Sequence, residues 1–231
     1  MAGDSARLLI VAATSLEVAP IVQRLRPLGD CGLRTTRYAF KNLDVDLLIA
    51  GVGLVATASR CAAALARAPY DLALNLGVCG SFDRALAPVT VVHVISDRIA
   101  DLGAEDGDAF LSVLELNLLD ADEPPFSGGR LVNSAPPANP ALSRLPAVDG
   151  ISVNTSHGNE RSIAAVAARL NPQVESMEGA AFMFACLTHG VPFAQVRAVS
   201  NFVERRNRAA WRLDDAIGAL GGAALDILDA L

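Results

Sequence analysis

The stretch SMEGAAFMFACLTHGVPFAQVRAVSN, residues 176–201, decides the fold. Its first part, Ser176 to Gly190, is almost wholly apolar and reads as a buried helix stopped by a glycine. After Val191-Pro192 comes a short apolar run of strand length, Phe193 to Val199, which ends in the polar pair Ser200-Asn201. An apolar helix feeding directly into an apolar strand is the repeating unit of a sheet covered on both faces. The rest of the chain repeats the pattern. LLIVAA (8–13) reads as a strand followed by a helix from Leu16 to Leu28, and VDLLIAG (45–51) as a strand followed by a helix from Leu54 to Ala68. LALNLG (72–77), VVHVISD (91–97) and GISVNT (150–155) are further strands, with helices at Asn159–Leu170 and Asn207–Leu228. Residues 120–149 are rich in Pro, Ser and Gly and read as a long irregular excursion. The expected fold class is α/β: one domain over 1–231, with a mixed, largely parallel central sheet flanked by helices.

Composition narrows the function classes. The chain has 231 residues, 52% hydrophobic and 19% charged, enough to bury a large core and too apolar for disorder. Its net charge of −6 opposes nucleic-acid binding, which needs a basic face. The apolar run LLIVAA is too short for a signal segment or a membrane span, and no stretch reaches the ~20 apolar residues a bilayer requires. A cytoplasmic protein without membrane contact is expected. Four scattered cysteines without CxxC spacing and three histidines make a zinc site improbable.

Two glycine loops follow strands: AGVGLVATA (50–58) and NLGVCGSF (75–82), the second containing Gly77 and Val78. Such glycines serve either tight turns or close approach of a ligand to backbone, and ligands in open α/β sheets bind beyond the strand carboxyl ends. The first loop lacks the acidic residue of a dinucleotide fingerprint at the right place, and there is no Walker loop. Two glutamates stand out. Glu17 closely follows the first strand, as a first-turn helix residue or as a group above the strand ends. Glu178 lies beside Met177 in a very apolar helix, where a carboxylate must be hydrogen-bonded, paired or functional. Asn201 offers amide donors and an acceptor in one plane, suited to a heterocycle edge or to a strand-end turn.

Taken in order, a Glu after the first strand, GVG, NLGVCGS, MEGAA on a helix and RAVSN ending a strand resemble the purine nucleoside phosphorylase and nucleosidase superfamily, over nearly the whole chain. The resemblance implies a pocket at the strand ends, cleavage of purine N-glycosidic bonds, no metal or organic cofactor, and a homodimer or larger homo-oligomer. The phosphorylases carry phosphate-gripping arginines where this chain has Glu17 and Asn75, so the resemblance implies water as the nucleophile. Adenine nucleosidases of the family end this strand in Asp, which can protonate N7; Asn201 instead suits a 6-oxopurine, hypoxanthine. VERRNRAAW (203–211) is similar to the segment that follows RAVSN in futalosine hydrolases of menaquinone synthesis. By this resemblance Glu17 activates water and Asn201 stabilises the departing base. Glu178 holds the ribose hydroxyls, Met177 packs on the sugar, and Ser200, Gly77 and Val78 support the pocket. From the cluster Arg205, Arg206 and Arg208, Arg205 and Arg208 are the expected partners of a substrate carboxylate. The base-stacking residue is open among Phe82, Ile151, Val153 and Phe202. The family's V-E-M-E is V-E-S-M-E here, so Glu175 inherits no role. A methylthioadenosine/adenosylhomocysteine or aminodeoxyfutalosine nucleosidase is the alternative.

Overall fold

The computed structural model describes residues 5–231. In chain order the elements begin with β1 (Ala6–Ala12), α1 (Ser15–Val22), β2 (Arg26–Gly32), β3 (Thr35–Phe40), β4 (Leu43–Ile49), α2 (Leu54–Arg67) and β5 (Leu72–Ser81). They continue with β6 (Val91–Asp97), β7 (Gly103–Asp106), β8 (Ala109–Ser112), β9 (Leu131–Val132), β10 (Ala147–Ser152) and α3 (Glu160–Leu170). Last come β11 (Val174–Ser176), α4 (Gly179–His189), β12 (Phe193–Phe202) and α5 (Leu213–Asp229), with 3₁₀ turns at Leu142–Arg144 and Arg208–Ala210.

The sheet is mixed. Its centre, β4-β1-β5-β12, is parallel, with β1 between β4 and β5 and β12 along the other side of β5. The β2–β3 hairpin extends it antiparallel beyond β4. On the other side β6 runs antiparallel to β12, and β10 and β11 follow in parallel. β11 also pairs with the end of β5, Val174 with Ser81 and Glu175 with Gly80, so β5, β12, β6, β10 and β11 close into a ring. The period-two alternation of the strands separates two cores. Leu8, Ile10, Ala12, Leu74, Leu76 and Val196 pack against α1 and α5 through Val18, Ile21, Leu220 and Ile227. Leu9, Val11, Leu48, Ala73 and Phe193 pack against α2 and α4 through Cys61, Leu65, Phe182 and Met183.

Several boundaries differ from the sequence reading: β5 continues past residue 77 to Ser81, β10 starts at Ala147 and ends at Ser152, and four others differ for local reasons. The helix expected over Leu16–Leu28 ends at Val22, and an edge strand starts at Arg26. That strand is almost entirely exposed, so it lacks the apolar alternation that marks a half-buried strand. Its hairpin turns at Leu33 and Arg34, both at positive φ (52° and 62°), positions where Asn and Gly are the usual markers. The helix expected from Ser176 starts at Gly179, because Val174–Ser176 are taken by β11. The last helix starts at Leu213 rather than Asn207. β12 does not stop at Val199 but continues through Asn201 to Phe202 across a register shift at Ser200. The excursion over 120–149 is largely irregular, as expected, apart from β9 and the turn at Leu142–Arg144. Among the described residues no helix is long and apolar enough to cross a membrane, and no cluster of His, Cys, Asp or Glu is placed to hold a metal.

Candidate active site

A cavity of about 360 Å³ opens where β1, β5 and β12 end and α4 begins, a size that suits a small-molecule ligand. Glu17, Val78, Met177, Glu178, Ser200 and Asn201 all line it. Gly77 does not line it but lies beneath it, and it has a clear reason to be glycine. A methyl group there would stand 2.9 Å from Glu17 Oε1 and would collide with the Arg197 guanidinium.

Glu17 sits at the third position of α1, where its Oε2 accepts from the Thr14 backbone N–H (2.9 Å) and the Thr14 hydroxyl (3.1 Å). The first-turn capping expectation and the site expectation are therefore met by one side chain. Its Oε1 accepts from the Val78 N–H (3.2 Å), which ties the carboxylate to the end of β5. Three donors fix its orientation, and a carboxylate has about four lone-pair positions, so one remains for a ligand in the cavity.

Arg197 is the functional candidate that sequence reasoning passed over. It lies within an apolar strand and is 1% exposed. Its Nε donates to Gln195 Oε1 (3.1 Å), one NH2 group donates to Asn75 Oδ1, and the other stands 3.8 Å from Glu178 Oε2. Asn75 in turn donates to the Val11 carbonyl (3.0 Å). Behind Gln195 lies Asp97, which accepts from Gln195 Nε2 (3.2 Å) and from Ser152 Oγ (3.1 Å). Burial pushes the Asp97 carboxyl up to about 6, against the pull of Gln195, the Arg197 charge and Ser152. The polar residues Gln195 and Arg197, two apart in an otherwise apolar strand, were the available signal, since side chains two apart share a face. The glycine of MEGAA also belongs here: a methyl group at Gly179 would strike both Asp97 and Gln195.

Glu178 is the N-cap residue of α4 and only 6% exposed. Its Oε1 accepts from the Gly53 N–H (2.9 Å). Gly53 is at φ 95°, a conformation that favours glycine, so the first glycine loop serves to grip this carboxylate. The second oxygen faces Arg197 and the cavity.

Asn201 reaches the cavity because of a bulge. Val199 pairs with Cys79 and Asn201 with Gly80, so Ser200 is the extra residue and Asn201 points to the face opposite Val199. Val199 is thereby left in an apolar cluster with Cys79 and Val92. Ser200 Oγ lies 2.7 Å from Asn201 Oδ1 and donates to it, while Asn201 Nδ2 gives one hydrogen to the Phe202 carbonyl (2.8 Å). The second amide hydrogen remains for a ligand.

The arginine cluster resolves differently from the expectation. Only Arg206 lines the cavity, its backbone held by the Gly158 carbonyl (3.3 Å). Arg205 lies along a separate open groove with Glu160 and Glu204. Arg208 sits in the 3₁₀ turn outside the cavity lining, its guanidinium 6.0 Å from the centre of the Trp211 ring. Arg205 and Arg208 are thus placed outside the cavity lining, and Arg206 lies where the cavity and that groove meet. Of the four stacking candidates Phe202 lines the cavity, with the Arg84 guanidinium over its ring, 4.4 Å from the centroid, and Trp211 lines it as well. Glu175, set aside on the sequence, also lines the cavity, where it holds His157 through its backbone N–H (2.9 Å) and ring Nδ1.

Known proteins resemble this chain along most of its length. The family model described as "Phosphorylase superfamily" matches residues 7–230. A futalosine hydrolase of Streptomyces coelicolor is 40% identical over 187 residues, 77% of this chain and 76% of that protein. A futalosine hydrolase of Thermus thermophilus is 32% identical over 205 residues, 85% of this chain and 84% of that protein. Among solved structures, futalosine hydrolase of Helicobacter pylori strain 26695 superposes with a TM-score of 0.81 at 16% identity, covering 98% of this chain and 99% of that one. The S-adenosylhomocysteine nucleosidase of Streptococcus pyogenes in complex with 5-methylthiotubericidin also gives 0.81, at 19% identity, covering 100% and 99%. At those identities the structural matches speak to the fold alone.

Proposed function

The chain belongs to the phosphorylase superfamily, and from that premise we propose that it is an N-glycosyl hydrolase that cleaves futalosine. The products are hypoxanthine and dehypoxanthine futalosine, a step of the futalosine route to menaquinone. The named relatives support the substrate, and the site residues support the chemistry. We read the whole chain, 1–231, as this one nucleosidase domain, placed in the cytoplasm. Assembly as a homodimer or larger belongs to the same proposal, supported by exposed Leu16 and Val52 at the cavity and Val55 beside them.

In this reading water sits in the cavity beside Glu17, at the lone-pair position its three donors leave open. Glu17 orients it and takes its proton as its oxygen approaches the anomeric carbon. Glycoside cleavage proceeds through an oxocarbenium-like transition state. Glu178, gripped by Gly53, accepts from the ribose hydroxyls, and Met177 packs against the sugar. As the C–N bond breaks, its electron pair passes to the base, and the outward amide hydrogen of Asn201 stabilises the growing charge. Val78 and buried Gly77 keep Glu17 and Arg197 in register. Arg206, rather than Arg205 or Arg208, is the cation at the cavity for the substrate's carboxylate.

The observation that carries the choice of base is the contact between Ser200 Oγ and Asn201 Oδ1. With the Phe202 carbonyl on Nδ2, it turns the amide so that a hydrogen is offered to the ligand, which matches O6 of hypoxanthine and meets a competing donor on the amino group of adenine. Base release from futalosine and from methylthioadenosine, each with and without phosphate, tests the reading. Hypoxanthine from futalosine without phosphate is the expected result. Adenine from methylthioadenosine at an equal rate, or turnover that needs phosphate, would sink it.

A further inference from the structure

His157 and Glu175 have no part in the mechanism above, yet both face the cavity. Their position relative to Asn201 follows from register. Asn201 on β12 and Glu175 on β11 are paired with the same residue, Gly80 of β5, from its two sides. Cross-strand partners share a face, so the two side chains flank one glycine on the cavity side. Glu175 is 5% exposed and spends both oxygens on His157, one on the backbone N–H and one on ring Nδ1. The Phe82 ring meets the imidazole edge-on, with centroids 6.4 Å apart. The ring is therefore fixed in place and in tautomer. When Nδ1–H donates to a carboxylate, the neutral imidazole presents Nε2 as an acceptor. Nε2 has no hydrogen-bond partner among the described residues.

We infer that His157 is a second specificity-determining residue, whose Nε2, held as an acceptor by the positioning residue Glu175, takes the N1–H of a 6-oxopurine base. This rests on the reading of the cavity as a purine nucleosidase site. The chemistry discriminates sharply. Hypoxanthine carries hydrogen at N1 and offers a donor, whereas adenine N1 is an unprotonated acceptor that would face the Nε2 lone pair. Together with Asn201 as donor, the pocket presents a donor and an acceptor that complement O6 and N1–H of hypoxanthine and oppose both positions of adenine. A site built to pair a given polar group rejects the analogue that cannot pair, because its own buried group is left without a partner.

The test is calorimetric titration of free hypoxanthine and free adenine into the wild type and into H157A, H157Q and E175Q, with melting temperatures taken alongside. The wild type is expected to prefer hypoxanthine. H157A narrows that preference by about tenfold, the worth of one such hydrogen bond. H157Q retains more of it, because its amide carbonyl can still accept from N1–H. E175Q narrows it too: the new amide donates to Nδ1, moves the ring proton to Nε2 and converts the acceptor into a donor. A purely structural role would weaken both bases equally. An unchanged preference in H157A and E175Q, or a wild type that prefers adenine, overturns the inference. Because free bases are used, the result stands apart from turnover. A wild type that binds hypoxanthine through His157 but releases none from futalosine would refute the proposed reaction and leave this inference intact.

Discussion

Two carboxylates, Asp46 on β4 and Asp97 on β6, are each 1% exposed, and the protein treats them in opposite ways. Asp46 is met directly by Arg7 Nη2 (2.7 Å), Arg37 Nε (2.8 Å) and the Tyr70 hydroxyl (2.8 Å). Burial alone would raise it, but Arg37, Arg7 and Tyr70 outweigh burial and hold it below the ordinary carboxylate range. Asp97 has only neutral donors in contact, and burial pushes it up to about 6. Its nearest cation, Arg197, reaches it only through Gln195, because the guanidinium is directed to Asn75 and Glu178. The Asp46 cluster spends its charges on itself and fastens β4 to β1, β3 and the segment before β5. The Asp97 cluster holds its cation beneath the cavity, against Asn75 and the Glu178 that lines it, at a cost in stability. Buried ion clusters in this fold are thus of two kinds, a fastening away from the cavity and a support beneath it.

The comparison can be broken by exchanging what the clusters do. R197M has the largest expected effect. Its chief effect should be on the rate of hypoxanthine release, lowered about 100- to 1,000-fold as Glu178 loses its cation, with a fall in melting temperature beside it, because removing one partner of a buried ion pair leaves the other uncompensated. Loss of melting temperature without loss of rate would place Arg197 with the structural cluster. D46N should do the reverse. Exchanging the charged acceptor for an amide weakens the hydrogen bonds from Arg7, Arg37 and Tyr70 and should cost about 2–3 kcal/mol in denaturant unfolding, with the rate per folded molecule unchanged.

D97N sharpens the contrast through pH. The folded pKa of Asp97 is raised above its unfolded value, so between about 4 and about 6 the folded state binds more protons. Its contribution is fully present below the unfolded pKa and is lost as pH rises through the folded one. The stability of D97N relative to wild type should therefore improve by about 3 kcal/mol over that window and stay level above it. The Asp46 cluster predicts the opposite slope, with stability lost as pH falls. The smallest effect is expected for Y70F, about 1 kcal/mol of stability for one phenol donor, and no change in rate.

The sequence made the central strands legible because both faces are buried and the apolar runs are continuous. Glu17, Glu178, Ser200 and Asn201 stood out because each is a polar residue beside an apolar segment, and their order together with Met177 made them legible through the family resemblance; all five line one cavity. Other parts were silent for physical reasons. β2 is exposed and turns without Asn or Gly. Arg197 was read as part of a core strand, although its spacing from Gln195 marks a polar row within the sheet. Glu175 and His157 meet only because β11, three residues long, closes the ring against β5, and such a contact has no local pattern. The choice among three arginines depended on the path of a turn, which periodicity does not describe.

The most direct test of the account is hypoxanthine release from futalosine in phosphate-free buffer by wild type and by E17Q, with hypoxanthine binding measured on both. The account predicts sustained release by the wild type, release slowed at least ~1,000-fold in E17Q, and hypoxanthine binding retained, because an amide cannot take a proton from water and Glu17 serves the nucleophile rather than the base. Release by E17Q at the wild-type rate would contradict it.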